Sequence, residues 1–234
     1  MMGALIDPLL PVWQALAMAT RFTLANIPFL LQGLVITAQV SALVVVFSLA
    51  AGLVLGVAIV YGPRLLYWPI RAYSDAIRSI PLIVLLFFIY YGLPAAQVQI
   101  DAFWAGVLAF SLFKTGHVIE VVRGAIGSIP PGQTEAGKAI GLGFGQRLVY
   151  VIFPQALRRF LPPWLNAVTD AVKGSALISL LGVVDLMQSI QQVIGRTYEP
   201  LPMYVMGAAI YFAINYALSS LSRGLERRFA YIRE

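Results

Sequence analysis

Between Arg21 and Arg64 the chain runs for 42 residues without an Asp, Glu, Lys or Arg. About 20 apolar residues at ~1.5 Å each already cross ~30 Å of hydrocarbon, so such a stretch belongs in a membrane. The composition agrees, with 60% hydrophobic and 11% charged residues, where a water-facing surface calls for about a quarter charged. A soluble globular fold is excluded. No cysteine is present and His117 is the single histidine, which removes disulfide frameworks, thiolate nucleophiles and histidine metal sites. A membrane enzyme, which would need clustered acid–base or metal residues at one depth, is disfavoured for the same reason.

Largely apolar segments separated by basic loops predict an all-α polytopic membrane protein with five transmembrane helices, at residues 29–60, 67–93, 102–122, 160–184 and 200–222. Pro28 is expected to break the first helix, leaving 1–28 as an extracytoplasmic or interfacial segment, and 29–228 form the transmembrane domain. Five spans put the termini on opposite sides. Twelve Lys or Arg fall on one side, in the segments around Arg71, between Arg123 and Arg159, and beyond Ser222, against only Arg21 and Arg196 on the other. Basic loops face the cytoplasm, so the N-terminus is expected outside and the C-terminus, with a short tail at 229–234, in the cytoplasm. The formal charge of +6 is absorbed by this topology and calls for no nucleic acid. The first twenty residues hold Asp7, Pro8 and Pro11 and no basic n-region, so no cleavable signal peptide is expected.

Residues 124–159 form a cytoplasmic loop too long to be structureless. Pro130-Pro131-Gly132 interrupts the preceding helix, residues 133–140 read as a short helix with Thr134 as its cap, and Gly141 and Gly143 stop it. Its small residues allow another protein's backbone to come close. Either it is a knob for a partner's groove, or it is an amphipathic connector.

Glu135-Ala136-Gly137, Gly141 and, after nine intervening residues, Val151-Ile152-Phe153-Pro154 resemble the EAA loop of binding-protein-dependent ABC importer permeases, E-A-A-x3-G-x9-I-x-L-P. Gly137, Val151 and Phe153 depart from the pattern by small or apolar exchanges. Arg78-Ser79-Ile80-Pro81-Leu82, Glu120-Val121-Val122-Arg123-Gly124, Pro154-Gln155-Ala156 and Gly182-Val183-Val184-Asp185-Leu186 are similar to the polar amino acid subfamily, and the resemblance extends over 29–228. It implies the type I ABC importer permease fold in a bacterial inner (plasma) membrane. It also implies a second permease subunit, a cytoplasmic ABC ATPase dimer and an extracytoplasmic solute-binding protein. The solute would be a polar amino acid or a relative such as an opine, and no cofactor belongs to this chain. ATP and Mg would be bound by the ATPase, in keeping with the lack of a G-x-x-x-x-G-K-[ST] run here. By the same resemblance Glu135, Ala136, Gly137, Ala139, Gly141 and Leu142 make the ATPase-coupling contact, a mechanical role in a chain that is not itself an enzyme. A permease for another small solute, or an ATP-independent transporter or channel, is the alternative.

Charges inside spans are costly and mark partners or wet cavities. Lys114 lies about 18 Å from the outer end of its helix and Asp170 and Lys173 about 15 and 20 Å from the inner end of theirs, so all three share the middle of the bilayer. His117 follows Lys114 by one turn. Lys114, His117, Asp170 and Lys173 are therefore the candidate substrate path, Lys114 for a carboxylate and Asp170 for an ammonium, with neutralisation of Asp170 by Lys173 as the structural alternative. Glu120 and Arg123, three apart near the inner surface, are expected to form a structural ion pair. Gly52 and Gly56 make a G-x-x-x-G close-packing motif.

Overall fold

A computed structural model describes residues 10–229, with side chains from 25 to 224. The tail beyond Phe229 lies outside the described residues. All regular structure among them is helical. Helix α1, Leu10–Tyr61, is continuous through Pro28, so the expected break there is absent. Proline forfeits one hydrogen bond to the preceding turn, but every other N–H still needs a partner in apolar surroundings, and only the helix provides it. Its apolar part, Ala25–Tyr61, is long enough to span a membrane.

The expected second span is two helices. α2 (Arg64–Ser79) and α3 (Leu82–Ala95) meet at 106°. Pro81 forces Ile80 into the extended region (φ −92°, ψ 131°) and then serves as the N-cap of α3. α2 is amphipathic, and it presses Ile70 and Ser74 against α4. Next comes α4 (Ala102–Gly127), capped by Asp101, whose Oδ1 accepts from Trp104 N at 3.0 Å. It runs five residues past the expected end because no breaker occurs before Pro130.

Between α4 and α7 lie α5 (Pro131–Ala139), α6 (Phe144–Arg147) and a π-helical turn, Leu148–Ile152. α5 starts two residues before the expected point, with Pro131 in its first turn and Pro130 at the cap position, so Thr134 is an interior residue and caps nothing. α7 (Phe153–Gly174) begins seven residues earlier than expected and then tightens into a 3-10 turn, Ser175–Leu181, ended by Gly182 at φ +82°. Helix α8, Leu186–Thr197, was not expected. Its signal was present as Asp185-Leu186-Met187-Gln188, an N-cap followed three residues later by Gln. The last helix is α9, Pro200–Phe229. By length and composition three helices could cross a membrane, and up to five spans result if α2–α3 and α7–α8 each count as one bent span.

α4 is the most enclosed of the three long spans, and α1 packs along it over the largest interface in the molecule. The glycine motif makes this approach possible: a Cβ on Gly52 would sit 2.4 Å from Val118, and one on Gly56 2.6 Å from Val122. Val44, Leu86, Phe110 and Ile178, from four different elements, are fully buried around the centre. Gly52→Ala should therefore push α1 from α4 and cost about 1–3 kcal/mol. In thermal unfolding of the detergent-purified protein it should melt several degrees lower, whereas Gly124→Ala, whose added Cβ meets nothing within 4 Å, should not.

Candidate functional site

The segment after α4 builds a projecting knob. Gly141, at φ +82°, ends α5, and Leu142 N returns to Gly137 O at 3.0 Å. Arg147 crosses beneath: its Nη1 donates to Leu142 O at 2.6 Å and its Cγ and Cδ lie 3.0 Å from where a Cβ of Gly137 would be. Gly137 is thus buried and Leu142 half-buried, while Glu135, Ala136, Ala139 and Gly141 face outward. Exposed Ile140, Phe144, Tyr150 and Phe153 add an apolar collar. The base is clamped to α7. Gln155 Nε2 donates to Gln133 Oε1 at 3.1 Å, Arg159 donates to Ser128 O, and Ile129 packs with Ile152 and Ala156.

The Glu120–Arg123 pair forms as expected, with Arg123 Nη2 2.6 Å and Nε 3.0 Å from Glu120 Oε2. It belongs to a larger lattice. Arg71 Nη1 lies 3.3 Å from Glu120 Oε1 and Arg71 Nε 2.7 Å from Asp75, which also pairs with Arg78 at 2.9 Å. Ser74 Oγ donates to Gly116 O at 3.1 Å, and Tyr73 OH to Leu112 O at 2.7 Å. α2 is thereby stitched to α4 along its length. The contribution of Arg71, Asp75 and Arg78 was hidden because the sequence placed them at the start of a straight span rather than on an amphipathic helix folded against α4. Glu120→Gln would leave Arg71 and Arg123 facing a neutral amide. With Glu120 only 16% exposed, the expected loss is about 1–3 kcal/mol, read as a lower melting temperature and as earlier protease cleavage between α2 and α4.

Of the intramembrane candidates, Lys114 is half-buried, its Nζ 5.8 Å from the centre of the Phe110 ring. His117 Nδ1 lies 3.0 Å from Phe113 O, and its ring rests on Phe113 at 4.8 Å. Asp170 on α7 is close enough for its charge to act on both Lys114 and His117. Lys173 and Asp170 are 3.8 Å apart, yet the two side chains are 58% and 63% exposed. The pair is the one that the structural alternative expects. Lys173 also lines an opening of about 410 Å³ with Tyr211, Asn215 and Arg223 of α9. Lys114 and His117 thus stand one turn apart on α4 and Asp170 and Lys173 one turn apart on α7, two helices that pack on each other.

Residues 48–231 match the sequence profile of a family described as binding-protein-dependent transport system inner membrane component. The arginine transport system permease protein ArtQ of Bacillus subtilis (strain 168) is 32% identical over 88% of this chain and 94% of its own. The glutamine transport system permease protein GlnP of Escherichia coli (strain K12) is 35% identical over 86% of this chain and 93% of its own. Among solved structures, an amino acid ABC transporter with histidines superimposes with a TM-score of 0.84 at 32% identity, covering 88% of this chain and 96% of that one.

Proposed function

The chain belongs to the family of binding-protein-dependent transport system inner membrane components, and on that premise we propose that it takes a polar amino acid, or a related compound such as an opine, from a solute-binding protein and passes it inward. It does so as a five-span permease with its N-terminus outside and its C-terminus cytoplasmic, each bent pair counting as one span, in a bacterial inner membrane. A second permease subunit, identical or homologous, completes the path. A cytoplasmic ATPase dimer holds ATP and Mg, and this chain performs no catalysis.

The observation that carries this is the knob. α5 presents Glu135, Ala136, Ala139 and Gly141 outward, on a base tied to α7, the helix that bears Asp170 and Lys173. Glu135, Ala136, Ala139 and Gly141 meet the ATPase, while Gly137 and Leu142 hold the shape of the contact through Arg147. Lys114, His117, Asp170 and Lys173 line the solute path. The exposure of Asp170 and Lys173 in one subunit supports this, since charges at such depth need a wet cavity or a partner to cover them. The names of relatives that carry arginine and glutamine support the amino acid class and leave the side chain open.

Purification of the tagged protein from its native membrane, followed by reconstitution with the candidate binding protein, tests the proposal. It requires a stoichiometric ATPase and ATP-dependent uptake of an amino acid. Solute flux without nucleotide would contradict it.

A further inference from the structure

We propose that the junction of α1, α8 and α9 holds a small monovalent cation of the sodium class on Asp185. Five buried side-chain polar atoms among the described residues lack a hydrogen-bond partner, and Asp185 Oδ2, Ser189 Oγ, Tyr211 OH and Asn215 Oδ1 are four of them. They lie on α8 and α9, and Tyr211 is near enough to Asp185 to feel its charge. Asp185 and Ser189 open α8, and Tyr211 and Asn215 lie one turn apart on α9. Thr37 completes the ring from α1, with Gly33 one turn before it. Residues four apart share a helix face, so three faces converge. Thr37 Oγ1 accepts from Leu186 N at 3.0 Å and lies beside Tyr211. A Cβ on Gly33 would fall 2.3 Å from Ser189 Oγ and 2.7 Å from Asp185 O, so the start of α8 sits flush on α1.

The charge is the difficulty that a ligand resolves. Asp185 is 1% exposed and Ser189 0%. One carboxylate oxygen accepts from Gln188 N at 2.8 Å, the N–H groups of Met187 and Asp185 itself also act on the carboxylate, and no basic side chain among the described residues pairs with Oδ2. Thr37 lies about 18 Å into the apolar part of α1 and Tyr211 about 17 Å into α9 by the helical rise, so the carboxylate is set deep in the hydrocarbon layer. Backbone N–H groups at the start of α8 offset that charge only in part, and an ion left partly unpaired at this depth costs several kcal/mol. One monovalent cation makes the site neutral, whereas a divalent one would leave a net charge behind. Every unpaired group is an oxygen, and Asn215 spends its Nδ2 on Tyr211 O at 2.7 Å, leaving its carbonyl as an acceptor. Hard oxygen donors around a single carboxylate suit an alkali ion. The tight approach at Gly33 favours a small one. The Gly182 break between α7 and α8 fits as well, since helices interrupted within the membrane are where ion-binding groups become free.

Melting of the purified full-length protein in detergent, at one pH and one ionic strength, in sodium, potassium or N-methylglucamine chloride, tests the site. Sodium should raise the melting temperature by about 3–6 °C over N-methylglucamine, saturably, and Asp185→Asn should abolish the difference. Asparagine caps a helix as well as aspartate, so the change removes charge and keeps the cap. Ser189→Ala should lower the apparent sodium affinity about tenfold, and if Asp185→Asn fails to fold, Ser189→Ala and Tyr211→Phe decide in its place. Equal melting in all three salts would overturn the proposal, leaving a proton or water on Asp185. A sodium effect that survives these substitutions would place the ion elsewhere and overturn it equally.

Discussion

Gly141→Asp should leave the protein folded and assembled while cutting ATP-driven uptake about 100-fold. An added Cβ at Gly141 meets nothing within 4 Å, so the change brings no clash inside the chain. The backbone there has φ +82°, a conformation that aspartate tolerates better than most residues, at about 1 kcal/mol. What it does bring is a carboxylate at the exposed rim of α5. If that rim sits in an ATPase groove, burying an unpaired charge costs about 3–5 kcal/mol. ATP hydrolysis should then no longer respond to the solute-loaded binding protein. Gly141→Ala imposes similar backbone strain without charge and should keep most of the transport, which separates contact from conformation. Equal losses in both variants would assign Gly141 to folding alone.

Lys114→Met and Asp170→Asn should each lower the uptake rate about 10- to 100-fold without disturbing assembly. Methionine preserves the length of Lys114 and its packing on Phe110 while deleting the ammonium, and asparagine preserves the shape of Asp170. Removing one hydrogen-bonded contact to a charged group of a zwitterion costs about 1.5–3 kcal/mol. The two groups act on each other, so the double variant should lose less than the sum of the single losses. His117→Phe tests a third residue of the proposed path: a shift in preference among amino acid side chains, with the rate for one of them kept, is the expected result. Unchanged kinetics in all three variants would move the solute path away from the space between α4 and α7.

The extent of the helices was legible wherever hydrophobicity alone decides them, and it failed wherever a proline or a capping residue decides. α4 and α9 were found from largely apolar runs and keep their expected starts. Pro28 was given too much weight, because one missing hydrogen bond is tolerable inside an apolar helix. Pro81 was given too little, because there the chain also leaves the helical region at Ile80 and turns by 106°. α8 was missed because twelve residues rich in glutamine carry no transmembrane signal, although Asp185 marked its start. The knob was visible from its prolines and glycines. Its footing was not, since Gln133–Gln155 and Arg159–Ser128 are contacts between segments that only the fold brings together. The same holds for Asp185, Ser189, Tyr211 and Asn215, which form a cluster only once α8 lies against α1 and α9.

The absence of cysteine in the chain makes the central claim open to a direct measurement. A single cysteine placed at Ala136 or Ala139 on the exposed face of α5, in the otherwise cysteine-free protein, should cross-link to the ATPase subunit in native membranes, and the yield should change with added ATP. A control cysteine at Trp104, at the far end of α4, should give no such product. If α5 positions form no ATPase adduct in any nucleotide state while uptake is intact, the knob is not the coupling element and the account is contradicted.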